Sequence, residues 1–97
     1  MVVRALLMAD TDDVATLIEA ASAGDTIAVE TKQGEAVCEL ESAHDIPRFH
    51  KIALVDLAAH DLVHKYGQVI GEATQSIHRG DYVHIHNIES IKTGVER

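Results

Sequence analysis

The segment Gly80 to Ser90, GDYVHIHNIES, sets His84 and His86 two residues apart and places Asn87 directly behind them. On a β-strand, side chains two apart leave the same face, so both imidazoles would enter one pocket while Val83 and Ile85 turn the other way, towards a core. Two imidazoles so placed are neighbouring ligands for zinc, iron or manganese, and a third ligand must come from elsewhere, with His50 and His64 as the candidates. The same spacing equally describes a strand whose histidines face solvent or a partner. Asn87 offers an amide to a hydroxylated ligand, or simply forms the turn that ends the strand. Lys51 and Lys65 are two of only eight basic residues, and each adjoins an apolar segment, where its stem can also lie along the surface. No complete catalytic set is present: there is no Ser-His-Asp order, no C-x-x-C and no Gly-rich phosphate loop. The aspartates fall mostly at turns or caps, where a carboxylate satisfies backbone N–H groups.

The elements that must position these residues read as short strands. RALLMA (Arg4 to Ala9) and TIAVET (Thr26 to Thr31) have strand character, and KQGEAVCEL is a hairpin turning at Gln33-Gly34. Val14 to Gly24 is either a short helix ending at Gly24 or a strand plus one helical turn. KIALVDL, LVHKYG, VIGEAT and YVHIHNI are rich in β-branched or alternating residues and read as strands. Pro47 marks a bend between two halves. An echo links AASAGDTIAV, DLAAHDLVHK and SIHRGDYVHI, each with a Gly-Asp or His-Asp pair at a turn. A helical turn in each would present Leu57 or Ile77 to the core, and Gly24, Gly80 and His60 would take the positive-φ position that follows.

Composition narrows the function classes. A chain of 97 residues is one domain, and with only 3% aromatic residues its core must come from Val, Ile, Leu and Ala. So modest a core favours a partner surface or a homo-oligomer. The net charge of -8 argues against nucleic acid, which demands a basic face. No run approaches the roughly 20 apolar residues of a membrane span. The opening MVVRALLMADTDD lacks the apolar stretch and cleavage site of a secretory signal. Cys38 is alone, so a reducing, cytoplasmic compartment is expected, with the thiol as a small buried hydrophobe.

Taken in order, HKIALVDL, KYGQVIGEAT and GDYVHIHNIES resemble the N-terminal SAF domain of the altronate and galactarate dehydratase family. The resemblance runs from about Ile46 to Ser90, and the first 45 residues share only its general rhythm. It implies a mainly β, SAF-type β-clip fold with short strands and one or two short helical turns. Residues 1–90 would form a single SAF domain and residues 91–97 a frayed C-terminal tail. In this family the domain either precedes a large catalytic region or is a separate small subunit, as in sulfolactate sulfo-lyase systems. A chain ending soon after HNIES fits the small subunit.

The implied function is one wall of a substrate or metal site in a sugar-acid hydro-lyase, completed by a large catalytic dehydratase subunit. His50, Lys51, Lys65 and Asn87 would contact the sugar acid, the lysines holding its carboxylate as point charges. His84 and His86 would ligate a divalent metal (iron, manganese or zinc) shared with the large subunit. Two positions depart from the family pattern: Phe49 stands where Gly is usual before His50-Lys51, and His60 replaces a Gly before Leu62. The rival readings are a non-catalytic SAF module for ligand binding or scaffolding, and a free-standing metal-binding protein.

Overall fold

Apolar residues in this chain come in runs of a few, each closed by an Asp-bearing turn, and such runs are too short to bury a helical face. A computed structural model of the chain describes residues 2–90, so the tail expected at residues 91–97 lies outside the described residues. The strands are β1 (Val2–Leu7), β2 (Val14–Leu17), β3 (Thr26–Thr31), β4 (Ala36–Glu41) and β5 (Lys51–Ala53). They are followed by β6 (Leu62–Lys65), β7 (Gln68–Ala73), β8 (Tyr82–Val83) and β9 (Ile88–Glu89). One sheet has six strands in the order β4-β3-β1-β2-β5-β8, and a second has three in the order β6-β7-β9. β1 and β3 run parallel and the remaining pairs antiparallel.

Two small cores flank the β2–β5 pair. Ala15, Leu17 and Ile52 join the larger one with Val3, Ile27 and Val29. Val14 and Ala53 belong to the smaller one with Val63, Ile77 and Val83. A strand covered on both faces needs apolar residues in succession, and for that reason VATL is a strand and not the helix its composition also allows. Among the described residues there is no helix. Nor do helical turns present Leu57 and Ile77, which instead bridge each other while Ala21 bridges Ile46. Cys38 is half-buried at the margin of the larger core, less enclosed than expected.

The echo is real, and it has a fourth member. Positive φ recurs at Gly24 (92°), Phe49 (68°), His60 (77°) and Gly80 (96°), each three residues after a bridge residue. In three of these turns the next residue is an aspartate whose carboxylate accepts a backbone N–H from three residues back: Ser22 to Asp25, Ala58 to Asp61 and His78 to Asp81, all at 2.9 Å. The turns are also tied in pairs, Asp45 accepting the Ala23 N–H (2.9 Å) and Asp56 that of Arg79 (2.8 Å). The fourth turn, IPRFHK, lacks the signature because Pro47 has no N–H to cap and His50 stands where the others have Asp.

Asp12 performs the longest-range capping. Its buried carboxylate accepts the N–H groups of Ala9 (3.1 Å), Tyr66 (2.8 Å) and Gly67 (2.8 Å). Tyr66 and Gly67 form the tip of the β6–β7 hairpin with φ of 59° and 72°, both positive, as a two-residue primed turn requires. Further along the hairpin, a Cβ on Gly71 would lie 2.5 Å from the Glu89 carbonyl oxygen, so only glycine lets β9 pair there. Asp12→Ala, which strands two tip N–H groups, should lower the unfolding free energy by about 2–4 kcal/mol in urea titration. Thr16 is the contrast, since its Oγ1 is buried without a partner. Thr16→Val should leave stability unchanged or raise it by about 1 kcal/mol in the same titration.

Candidate functional site

Strand β8 stops at Val83 because Asn87 folds back on it. The Asn87 Oδ1 accepts the His84 N–H (3.0 Å) and its Nδ2 donates to the Tyr82 carbonyl (2.8 Å). The His84 carbonyl then accepts the N–H groups of Asn87 (3.0 Å) and Ile88 (3.1 Å), closing a tight turn. The strand expected to run through His86 is therefore broken. Val83 is buried as expected, but Ile85 points to solvent at 83% exposure and not into the core. Asn87 itself is buried with both ends of its amide engaged by backbone groups, so it shapes the site.

The histidines meet nonetheless, around a residue that period-two reasoning passed over. Tyr82 stacks on His84 (centroids 5.6 Å apart, planes at 11°) and lies 5.3 Å from the His86 ring. His50 approaches from the other side, its ring 4.7 Å from that of His84, with its Nδ1 2.5 Å from the Tyr82 hydroxyl. When the phenol donates to Nδ1, the imidazole carries its proton on Nε2 and offers that N–H to a ligand. The clue to Tyr82 was present, since it precedes His84 by the same two residues that separate His84 from His86.

His50 reaches the cluster because of its exceptional turn. Freed from capping, its ring swings to Tyr82, while its backbone is clamped to β2: its carbonyl accepts the Leu17 N–H (2.9 Å), and the Phe49 N–H donates to the Leu17 carbonyl (2.8 Å). Lys51 follows at once, paired across the sheet with Thr16 and Val83. Partial burial of Lys51 lowers its pKa below the usual lysine value of 10.5, and the nearby charge of Lys65 lowers it further. Lys65 ends β6 with its ammonium 5.1 Å from the Tyr66 ring centroid. His84 is likewise lowered from 6.5, by desolvation first and then by the positive charges of His50, Lys51 and His86.

The site's electrostatics are set by what these groups lack. His44, His60 and His64 are each paired with a carboxylate, of Asp81 (3.3 Å), Glu72 (2.7 Å) and Asp13 (2.8 Å). Among the described residues none of His50, Lys51, Lys65, His84 and His86 has a carboxylate partner, although the chain carries a net charge of -8. His64, considered above as a third metal ligand, is held by Asp13 through both its ring and its N–H. No group of three or more potential ligands that could hold a metal ion exists among the described residues. His84 and His86 therefore do not form a metal centre with this chain's described groups alone.

Residues 3–91 match the family model of the altronate/galactarate dehydratase SAF domain. The chain belongs to this family. It is 34% identical over 83 residues to the (2R)-sulfolactate sulfo-lyase subunit alpha of Chromohalobacter salexigens, covering 84% of this chain and 88% of that subunit. It is 43% identical over 51 residues to the altronate dehydratase of Bacillus subtilis, covering 53% of this chain and 10% of the enzyme. With the galactarate dehydratase (L-threo-forming) of Escherichia coli it shares 43% identity over 44 residues, 45% of this chain and 8% of that one. This SAF domain thus spans most of a separate subunit and about a tenth of a long dehydratase. Among its described residues no helix is long and apolar enough to cross a membrane.

The exceptional turn of this SAF domain can be tested by a double-mutant cycle. His50→Asp alone gains no cap, because Pro47 has no N–H to donate. Combined with Pro47→Ala it restores the sister geometry, so the two changes should couple favourably by about 1 kcal/mol in chemical denaturation. Additive effects would show that Pro47 and His50 are unrelated choices.

Proposed function

We propose that this chain is the small subunit of a two-chain lyase acting on a hydroxylated carboxylic acid, and that its basic cluster binds the acid's carboxylate. The observation that carries the proposal is the gathering of His50, Lys51, Lys65, His84 and His86 with no carboxylate partner among the described residues of an acidic chain. The names of the relatives support the ligand class. Sulfolactate, altronate and galactarate all carry a carboxylate beside a hydroxyl-bearing carbon.

In this reading the His50 Nε2–H donates to one carboxylate oxygen, and the charges of Lys51 and Lys65 hold the anion at the β5–β8 edge. Binding there draws electron density from the adjacent carbon, whose proton a base removes as water, or sulfite from a sulfonate, departs. That base belongs to the large chain. A divalent iron, manganese or zinc ion would take at most two ligands here, His84 and His86, and the rest from the large chain. The proposed compartment is the cytoplasm, consistent with the lone Cys38. The paired turns support a β-clip arrangement of the strands.

Reconstitution with the large chain tests the proposal. The small chain alone should turn over none of the three acids. In the complex, His50→Gln and Lys51→Met should each lower kcat/KM by about 10- to 100-fold, the worth of one hydrogen bond to a charged group. Unchanged kinetics in a complex that needs this chain would leave it a scaffold.

The depressed His84 gives a second handle. Its folded pKa lies below the unfolded value of 6.5, so its contribution to stability is full above 6.5 and is lost as pH falls through the folded value. A bound carboxylate favours the protonated ring. Titration by NMR should therefore place the His84 midpoint below 6.5 in the free chain and higher with altronate or sulfolactate present, with affinity rising as pH falls.

A further inference from the structure

We infer that Phe49, Tyr66 and Ile85, which border the basic cluster, form the surface on which the large catalytic chain docks and closes the anion site. This inference rests on the two-chain reading above and gives it a location. Each of the three is the chain neighbour of a cluster residue: Phe49 precedes His50, Tyr66 follows Lys65, and Ile85 lies between His84 and His86. They are also among the most exposed large hydrophobic residues described, at 61%, 57% and 83%.

For Phe49 and Tyr66 the backbone argues that the side chains are not there for the fold. Phe49 and Tyr66 are held at φ of 68° and 59°, a region that costs an ordinary side chain free energy. Sister turns place Gly24 and Gly80 at the position of Phe49, so the turn accepts glycine. His60, the other non-glycine at that position, engages Glu72 through its ring. The ring of Phe49 lies under the Arg48 guanidinium, 4.5 Å from its centroid, and is absent from both core clusters of the described residues. Strain of this kind without burial in the chain's own core points to burial elsewhere.

Charge decides the occupant. A second copy of this chain docked through the same face would bring two sets of Lys51, Lys65 and Arg48 together, and like charges opposed across an interface are costly. A large chain carrying carboxylates within an apolar surface complements the face. The relatives show both arrangements of the family, a separate alpha subunit and a domain that makes up about a tenth of a long dehydratase.

The test measures association of the full-length chain with the large dehydratase-like chain of the same genome by calorimetry. Phe49→Gly with Ile85→Ser should weaken binding about 30-fold or more, as removal of interface hot spots does. Phe49→Gly should also raise the free chain's melting temperature, because it relieves the positive φ. Val37→Ser, at an exposed apolar position on β4, should leave binding unchanged. Equal losses from both sets, or no loss from either, would overturn this surface and leave the two-chain reading standing. No association by the wild-type chain would overturn both. If docking fails as expected while His50→Gln keeps full activity in the complex, the surface stands and carboxylate binding by the cluster falls.

Discussion

Aspartate carboxylates accepting backbone N–H groups hold this domain together where its strands cannot. A chain with such short strands reverses direction many times, and every reversal leaves donors that no sheet satisfies. Six aspartates, Asp12, Asp25, Asp45, Asp56, Asp61 and Asp81, accept at least one of them, and Asp13 accepts the His64 N–H within β6. Asp12 reaches furthest, fixing the Tyr66–Gly67 tip against the loop after β1 and so placing Lys65. The strongly negative composition is thus in large part a structural consequence of turn chemistry.

The site lies where this rule is suspended. Pro47 removes the donor that an aspartate would cap, and the position so released holds His50. Proline also restricts the chain in the unfolded state, which offsets part of the lost cap. At the other wall Asn87, not an aspartate, closes the turn. Its amide both accepts and donates, satisfying the His84 N–H and the Tyr82 carbonyl without adding a negative charge beside the imidazoles. Most caps elsewhere are aspartates and anionic, and the one within the cluster is neutral.

Membership of the dehydratase SAF family gives this arrangement a context. The same domain occurs as most of a subunit and as a small fraction of a long chain, so on the proposed reading the surface it offers a catalytic region would have to work with or without a covalent link. On the proposed reading, exposed aromatic and aliphatic residues around basic groups that have no carboxylate partner among the described residues would suit that demand, apolar burial supplying affinity while the charges orient the anion.

Local chemistry was legible in the residues themselves. Short apolar runs and Gly-Asp turns specify a mainly β chain, the positive φ at Gly24, His60 and Gly80 follows from the turn echo, and HKIALVDL, KYGQVIGEAT and GDYVHIHNIES carry the family. Tertiary structure decided what depends on partners distant in sequence. VATL is a strand because both of its faces are covered, and no local propensity reports that. The run YVHIHNI breaks at His84 because a buried amide outcompetes the ladder for two backbone groups, which turns Ile85 outward and gathers the histidines around Tyr82. Likewise the sequence names seven histidines, but only the fold pairs His44, His60 and His64 with carboxylates and leaves His50, His84 and His86 without one among the described residues. Pairing is a matter of distance between side chains far apart along the chain, and only the folded backbone sets that distance.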